Sequence, residues 1–157
     1  MHSLQDISFR TVNYADELEL RSYLEIFWKL PAENNEYFTK RTDSFMNEWL
    51  ESAKNTESTE NTFSGIALHS TKIVGLHIAR KFEEWEQIGV HLAGLWVHPE
   101  YRGIGISKKM KQQAEVWAKS IGATFINTNV QRDNERMLSI NKNAGYKVFR
   151  YNLRKRI

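Results

Sequence analysis

The chain has no cysteine, and only two of its 157 residues are proline. The first absence excludes disulfides, thiolate metal sites and a cysteine nucleophile. The second makes each proline informative: Pro31 is expected to close a helix and Pro99 to break a strand. No apolar run is long enough to span a bilayer, and the N-terminus lacks a signal-peptide pattern. No membrane partner is therefore expected, and a cytoplasmic location is. The formal net charge is only +3, too small to argue for a nucleic-acid partner, and the terminal Arg154, Lys155 and Arg156 read as a solvated tail. No two of the five histidines stand at i, i+4 beside a carboxylate, so no metal site is expected. Internal repeats and low-complexity segments are absent as well.

What remains is a length that suits one domain over residues 1–157, with an ordinary apolar fraction. Residues 7–12 alternate apolar with polar and predict a first strand. Leu20, Tyr23, Leu24 and Phe27 share one helical face, and Pro31 follows. A second helix is expected over 34–53, then a polar exposed loop over 54–62. Strands over 63–69 and 72–82 follow, then a charged turn over 83–87 and a fourth strand over 88–97. Ile106, Met110, Ala114, Trp117, Ala118 and Ile121 form an apolar helical stripe that Gly122 can cap. A fifth strand over 124–130, a short helix capped by Asp133 or Asn134, and a last strand over 146–153 complete a mixed α/β reading.

The chain is organised around residues 95–110, where an apolar strand leads through Arg102, Gly103 and Gly105 into the amphipathic helix. Two glycines let successive N–H groups point the same way, and the helix start adds partial positive charge. Arg102 adds a full one, so the stretch predicts a phosphate or pyrophosphate site. Two other glycine-rich phosphate motifs fail. The ATPase-type loop is absent, and Lys108 stands where a dinucleotide turn needs its third glycine.

The run Val97-x-Pro99-x-Tyr101-Arg102-Gly103-x-Gly105, with Ser107 as a small third residue, resembles the cofactor motif of the GNAT superfamily of acyl-coenzyme-A-dependent N-acetyltransferases. Asn134-x-x-Met137-x-x-x-Asn141-x-x-x-Gly145-Tyr146 resembles that family's later motif. The resemblance covers the chain from about Ile88 onward and implies a single-domain α/β (α+β mixed) GNAT-like fold. Its central, mostly antiparallel sheet would splay between strands 4 and 5, flanked by about four helices.

The resemblance also implies acetyl-CoA (coenzyme A) as co-substrate, without a metal. Its pantetheine arm would lie on Leu95, Trp96 and Val97, and its pyrophosphate on Arg102, Gly103, Ile104, Gly105, Ile106 and Ser107. Asn134 matches a pantetheine contact and is equally an N-cap. The implied reaction is direct attack of a small-molecule or peptide amine on the thioester, with a proton acceptor and a backbone N–H for the negative oxygen. His91 stands where branches of the family carry a base, and its unperturbed pKa of about 6.5 suits the task. By period-two counting it shares a face with Ala93, Leu95 and Val97. Glu84, Glu86 and His77 are the competitors. Asn141 occupies the position of the family's tyrosine acid and cannot release a proton. Glu33, Glu36, Trp28 and Tyr37 are candidates for the acceptor cleft, and family habit suggests a homodimer. The alternative reading is a non-catalytic acyl-CoA-binding sensor or scaffold.

Overall fold

Two tight hairpin turns set the strand order. Ser70 takes φ 55° between the second and third strands, and Trp85 and Glu86 take φ 52° and 61° between the third and fourth. Left-handed turn residues match the right-handed twist of the strands they join. The computed structural model describes residues 2–34, 43–55, 60–153 and 155, with the backbone alone for 31–34. In chain order they form β1 (Ile7–Thr11), α1 (Glu17–Asn34), α2 (Asp43–Asn55), β2 (Thr62–His69), β3 (Lys72–Glu84) and β4 (Gln87–Val97). Then come α3 (Ile106–Ser120), β5 (Phe125–Thr128) and α4 (Glu135–Asn143). The five strands lie in sequence order. Pairs from β1 to β4 are antiparallel, and β5 joins β4 in parallel. A parallel neighbour needs a crossover, which α3 supplies.

The helices divide between the two faces. Leu20, Tyr23 and Leu24 of α1 and Leu50 of α2 pack on Ile66, Leu68, Ile73 and Leu76. On the other face Ile106 and Met110 of α3 meet Ala67 and Val74, while Ala114 and Ala118 meet Ala79, Val90 and Leu92. This is why β3 is buried almost continuously from Ile73 to Ala79. The α3 stripe appears as the spacing predicts, with Ile106, Met110, Ala114 and Ala118 all buried.

Several boundaries differ from the sequence reading. Helix α1 runs past Pro31 to Asn34, because proline removes a donor without forbidding a helical φ. Helix α2 begins at Asp43, and residues 35–42 of the expected second helix lie outside the described residues, as do 56–59 of the expected loop. The expected last strand over 146–153 pairs with no described strand. Val148, Phe149, Tyr151 and Leu153 are all exposed there, Leu153 at 91%. Alternation reports strand propensity and cannot report whether a partner edge is present.

The most consequential irregularity lies in β4. Gly94 pairs with Ile78 and Leu92 pairs with Ala79, which leaves Ala93 as an unpaired extra residue. Such a bulge shifts the alternation of side chains by one.

Candidate active site

The stretch from Pro99 to Lys108 builds an anion cradle from backbone alone. A short 3-10 turn over Pro99–Tyr101 ends the strand, and Gly103 and Gly105 follow at φ 88° and 98°. Gly105 is the N-cap of α3 and has no side chain to cap it. Among the described residues, no backbone or side-chain acceptor takes the N–H groups of Gly103, Ile104, Gly105, Ile106, Ser107 or Lys108. The ladder of α3 starts only with Lys109, whose N–H donates to the Gly105 carbonyl at 3.1 Å. A run of free donors at a helix start is an anion site. A Cβ on Gly103 would meet nothing within 4 Å, so the loop is open above that residue. The Arg102 Nε donates to the Val97 carbonyl at 3.0 Å, which ties the guanidinium to the strand end beside the cradle.

Next to the cradle the sheet opens. β4 and β5 pair from Gly89 with Phe125 to Leu92 with Thr128, and no further. Thr128 Oγ1 closes the pairing on the Leu92 carbonyl at 3.3 Å. Beyond it, residues 93–97 keep only β3 as a neighbour among the described residues, with Leu95 opposite His77, Trp96 opposite Leu76 and Val97 opposite Gly75. One edge of Leu95–Val97 is therefore free to pair with an extended ligand. The path from Val97 back to Leu92 is about 17 Å at the rise of a strand. An anion in the cradle and an arm in the gap fit one elongated, phosphorylated molecule.

The candidate base lies one step below the opening. His91 pairs with Arg80 on one side and Asn127 on the other. Its neighbours Val90 and Leu92 pack toward α3, so His91 projects from the opposite face. After the bulge the phase reverses: Leu95 and Val97 turn toward α3, and Trp96 packs with the α1 cluster. The period-two expectation that His91 shares a face with Leu95 and Val97 is thus corrected by the extra residue Ala93. His91 is half-buried, and burial, helped by the nearby Arg80 charge, holds its pKa below 6.5.

The competitors lie elsewhere. Glu84 closes the far end of β3 and pairs with Arg150, while Glu86 is exposed in the hairpin turn. Both are at the end of β4 opposite the cradle. His77 faces α3 and is sealed at 0% exposure, with both ring nitrogens unpaired among the described residues. Burial alone depresses its pKa to about 4. It is a neutral core group beyond the reach of solvent.

Asn134 caps α4 by accepting from the Met137 N–H at 3.1 Å, which uses only its amide oxygen. Asn141 is buried, and its Oδ1 accepts from Lys111 of α3. Lys111 is itself only 5% exposed, its Nζ 5.4 Å from the centre of the Tyr146 ring. Burial lowers its pKa, opposed by the charge of Glu115. Lys108 and Lys109 are solvated, so the three lysines after the glycines do not act alike. Sequence reading missed this pair; the available signal was that Lys111 adjoins the buried stripe at Met110 and Ala114. Trp28 stacks edge-on against Phe45 and Trp49 between α1 and α2. The side chain of Glu33 is not described, and Glu36 and Tyr37 lie outside the described residues. Among the described residues no helix is long and apolar enough to cross a membrane, and no group of three acidic or histidine side chains could hold a metal.

The sheet thus splits beside a run of free backbone donors at a helix start. The sequence profile of the Acetyltransferase (GNAT) family matches residues 20–146, and the chain belongs to that family. Solved structures share the fold at low identity. An aminoglycoside acetyltransferase from an uncultured soil metagenomic sample, meta-AAC0020 in complex with sisomicin, is 16% identical with a TM-score of 0.70. The alignment covers 96% of this chain and 98% of that one. The aminoglycoside N-acetyltransferase AAC(6')-Iy in complex with CoA is 15% identical with a TM-score of 0.71, over 96% and 94% of the two chains. The ribosomal-protein-alanine N-acetyltransferase from Brucella melitensis biovar Abortus 2308 is 17% identical with a TM-score of 0.69, over 99% and 100%. No curated protein matches the sequence.

Proposed function

We propose that the chain transfers an acetyl group from acetyl-CoA to the amine of a small molecule or peptide. The observation that carries this reading is the run of unpartnered N–H groups from Gly103 to Lys108 beside the free edge of β4. Acetyl-CoA supplies a thioester whose carbon the amine attacks, forming a C–N bond and releasing the thiol. The N–H groups of Gly103 to Ser107 hold the pyrophosphate, and Arg102 adds charge at the mouth of the gap. The free edge of Leu95, Trp96 and Val97 orients the arm by strand-like hydrogen bonds, which leads it down to the closure at Leu92 and Thr128. His91, one pair below, accepts the proton that the amine sheds. Its depressed pKa keeps the ring neutral, as a base must be.

A second reading has one observation in its favour. Asn141 stands where the family's tyrosine acid would be, and its oxygen is engaged by Lys111. That reading is a chain that binds acyl-CoA without turnover.

One assay separates the two. The absence of cysteine means that a thiol reagent reads only free coenzyme A. Amine-dependent thiol release from acetyl-CoA supports transfer; tight coenzyme A binding with no release under any amine supports the sensor.

A further inference from the structure

Arg80, His91 and Asn127 form a row across three strands: Arg80 is the register partner of His91, and His91 of Asn127. All three project from the face opposite α3, because Ala79, Val90 and Ile126, one residue before each, pack toward α3. The row lies immediately below the point where β4 and β5 part. It therefore borders the place where the acceptor meets the thioester in the transferase reading, on which this inference rests.

The charge on this patch is unbalanced. Arg80 is exposed, and among the described residues no hydrogen bond or ion pair engages its guanidinium. Three basic side chains are matched by acids, Arg10 with Glu19, Lys54 with Glu17 and Glu51, and Arg150 with Glu84, and Arg80 is not among them. Glu84 is the acid four residues further along the same strand face, and Arg150 occupies it. The Arg80 field reaches inward as far as the His91 ring and the buried Tyr23 phenol. A polycationic acceptor would meet repulsion here.

We propose that Arg80, flanked by His91 and Asn127, is a subsite for a carboxylate carried by the acceptor amine. The substrate class is then an amino acid or a peptide with a free carboxylate, not a polyamine. A planar guanidinium binds a carboxylate through two parallel N–H bonds, and the Asn127 amide adds a neutral donor beside it. An acid bound there holds its amine beside the His91 ring.

The test compares a dipeptide having a free C-terminus with its C-terminal amide, using thiol release from acetyl-CoA. The wild type is expected to favour the acid by about tenfold or more in kcat/KM, the scale of a charge-assisted hydrogen bond. Arg80→Gln should erase that preference while leaving the KM for acetyl-CoA within about twofold, and Arg80→Lys should restore part of it. Because Arg80 is exposed, both variants should keep the wild-type unfolding transition. Turnover of amines with no preference for the acid, or a preference that survives Arg80→Gln, overturns the subsite and leaves the transferase reading standing. No thiol release with any amine overturns that reading, and the subsite with it.

Discussion

His91 and Leu95 lie on opposite faces of β4, although they stand four positions apart on one strand. In an unbroken strand they would share a face. The extra residue Ala93 reverses the phase, so one strand turns a half-buried imidazole to one side and the apolar Leu95 and Val97 toward α3 on the other. Gly94 follows the bulge, where a Cβ would come within 2.9 Å of the Phe27 ring of α1.

The pH dependence of turnover follows from that placement. Burial and then Arg80 hold the His91 pKa below 6.5, so the acid limb of kcat/KM should lie below that value. Arg80→Gln removes one of the two causes and should move the limb upward toward 6.5. His91→Ala should remove it. A limb unchanged in His91→Ala assigns the proton to another group.

Stability should depend on pH through a different histidine. His77 titrates near 6.5 when unfolded and at about 4 when folded, so the unfolded chain binds its proton more tightly. Stability from the neutral ring is complete above 6.5 and is lost as pH falls toward 4. The gap corresponds to about 3 kcal/mol. Denaturant melts at stepped pH should show this slope, and His77→Leu should flatten it.

The same ring explains a glycine. A Cβ on Gly65 would lie 2.1 Å from His77 Nε2, and the two residues are register partners on β2 and β3. Gly65→Ala should cost about 3 kcal/mol, the upper range for overpacking a core. In a His77→Ala background the same change should cost less than about 1 kcal/mol. Equal costs in both backgrounds would separate the two positions.

Lys111 and Asn141 should be asymmetric. Asn141→Ala leaves a buried ammonium without its acceptor and should cost about 1–3 kcal/mol. Lys111→Met keeps the packed stem and removes the charge, leaving only the neutral Asn141 oxygen unpaired, and should cost less, about 1 kcal/mol. Chemical unfolding of both variants checks the order.

Much of this architecture was legible in local sequence, and the exceptions share a cause. The two hairpins, the α3 stripe and the glycine cradle follow from period and turn chemistry within about a dozen residues. The cradle was legible because backbone N–H groups need only Gly103, Gly105 and a helix start. The face of His91 was not, because a bulge is defined by the partner strand: Ala93 looks like any other strand residue until Ile78 and Ala79 are placed opposite. The burial of Lys111 was not legible either, because its acceptor Asn141 lies 30 residues away on α4. The segment over 146–153 has the alternation of a strand and no described strand to pair with.

The central claim is that the cradle and the β4–β5 opening together hold coenzyme A, and calorimetric titration tests it most directly. Coenzyme A should bind the wild type at one site per chain. Gly105→Val replaces a residue at φ 98°, which should distort the cradle and weaken that binding by about tenfold or more while the fold is kept. No heat of binding to the wild type, or an affinity unchanged in Gly105→Val, would contradict the account.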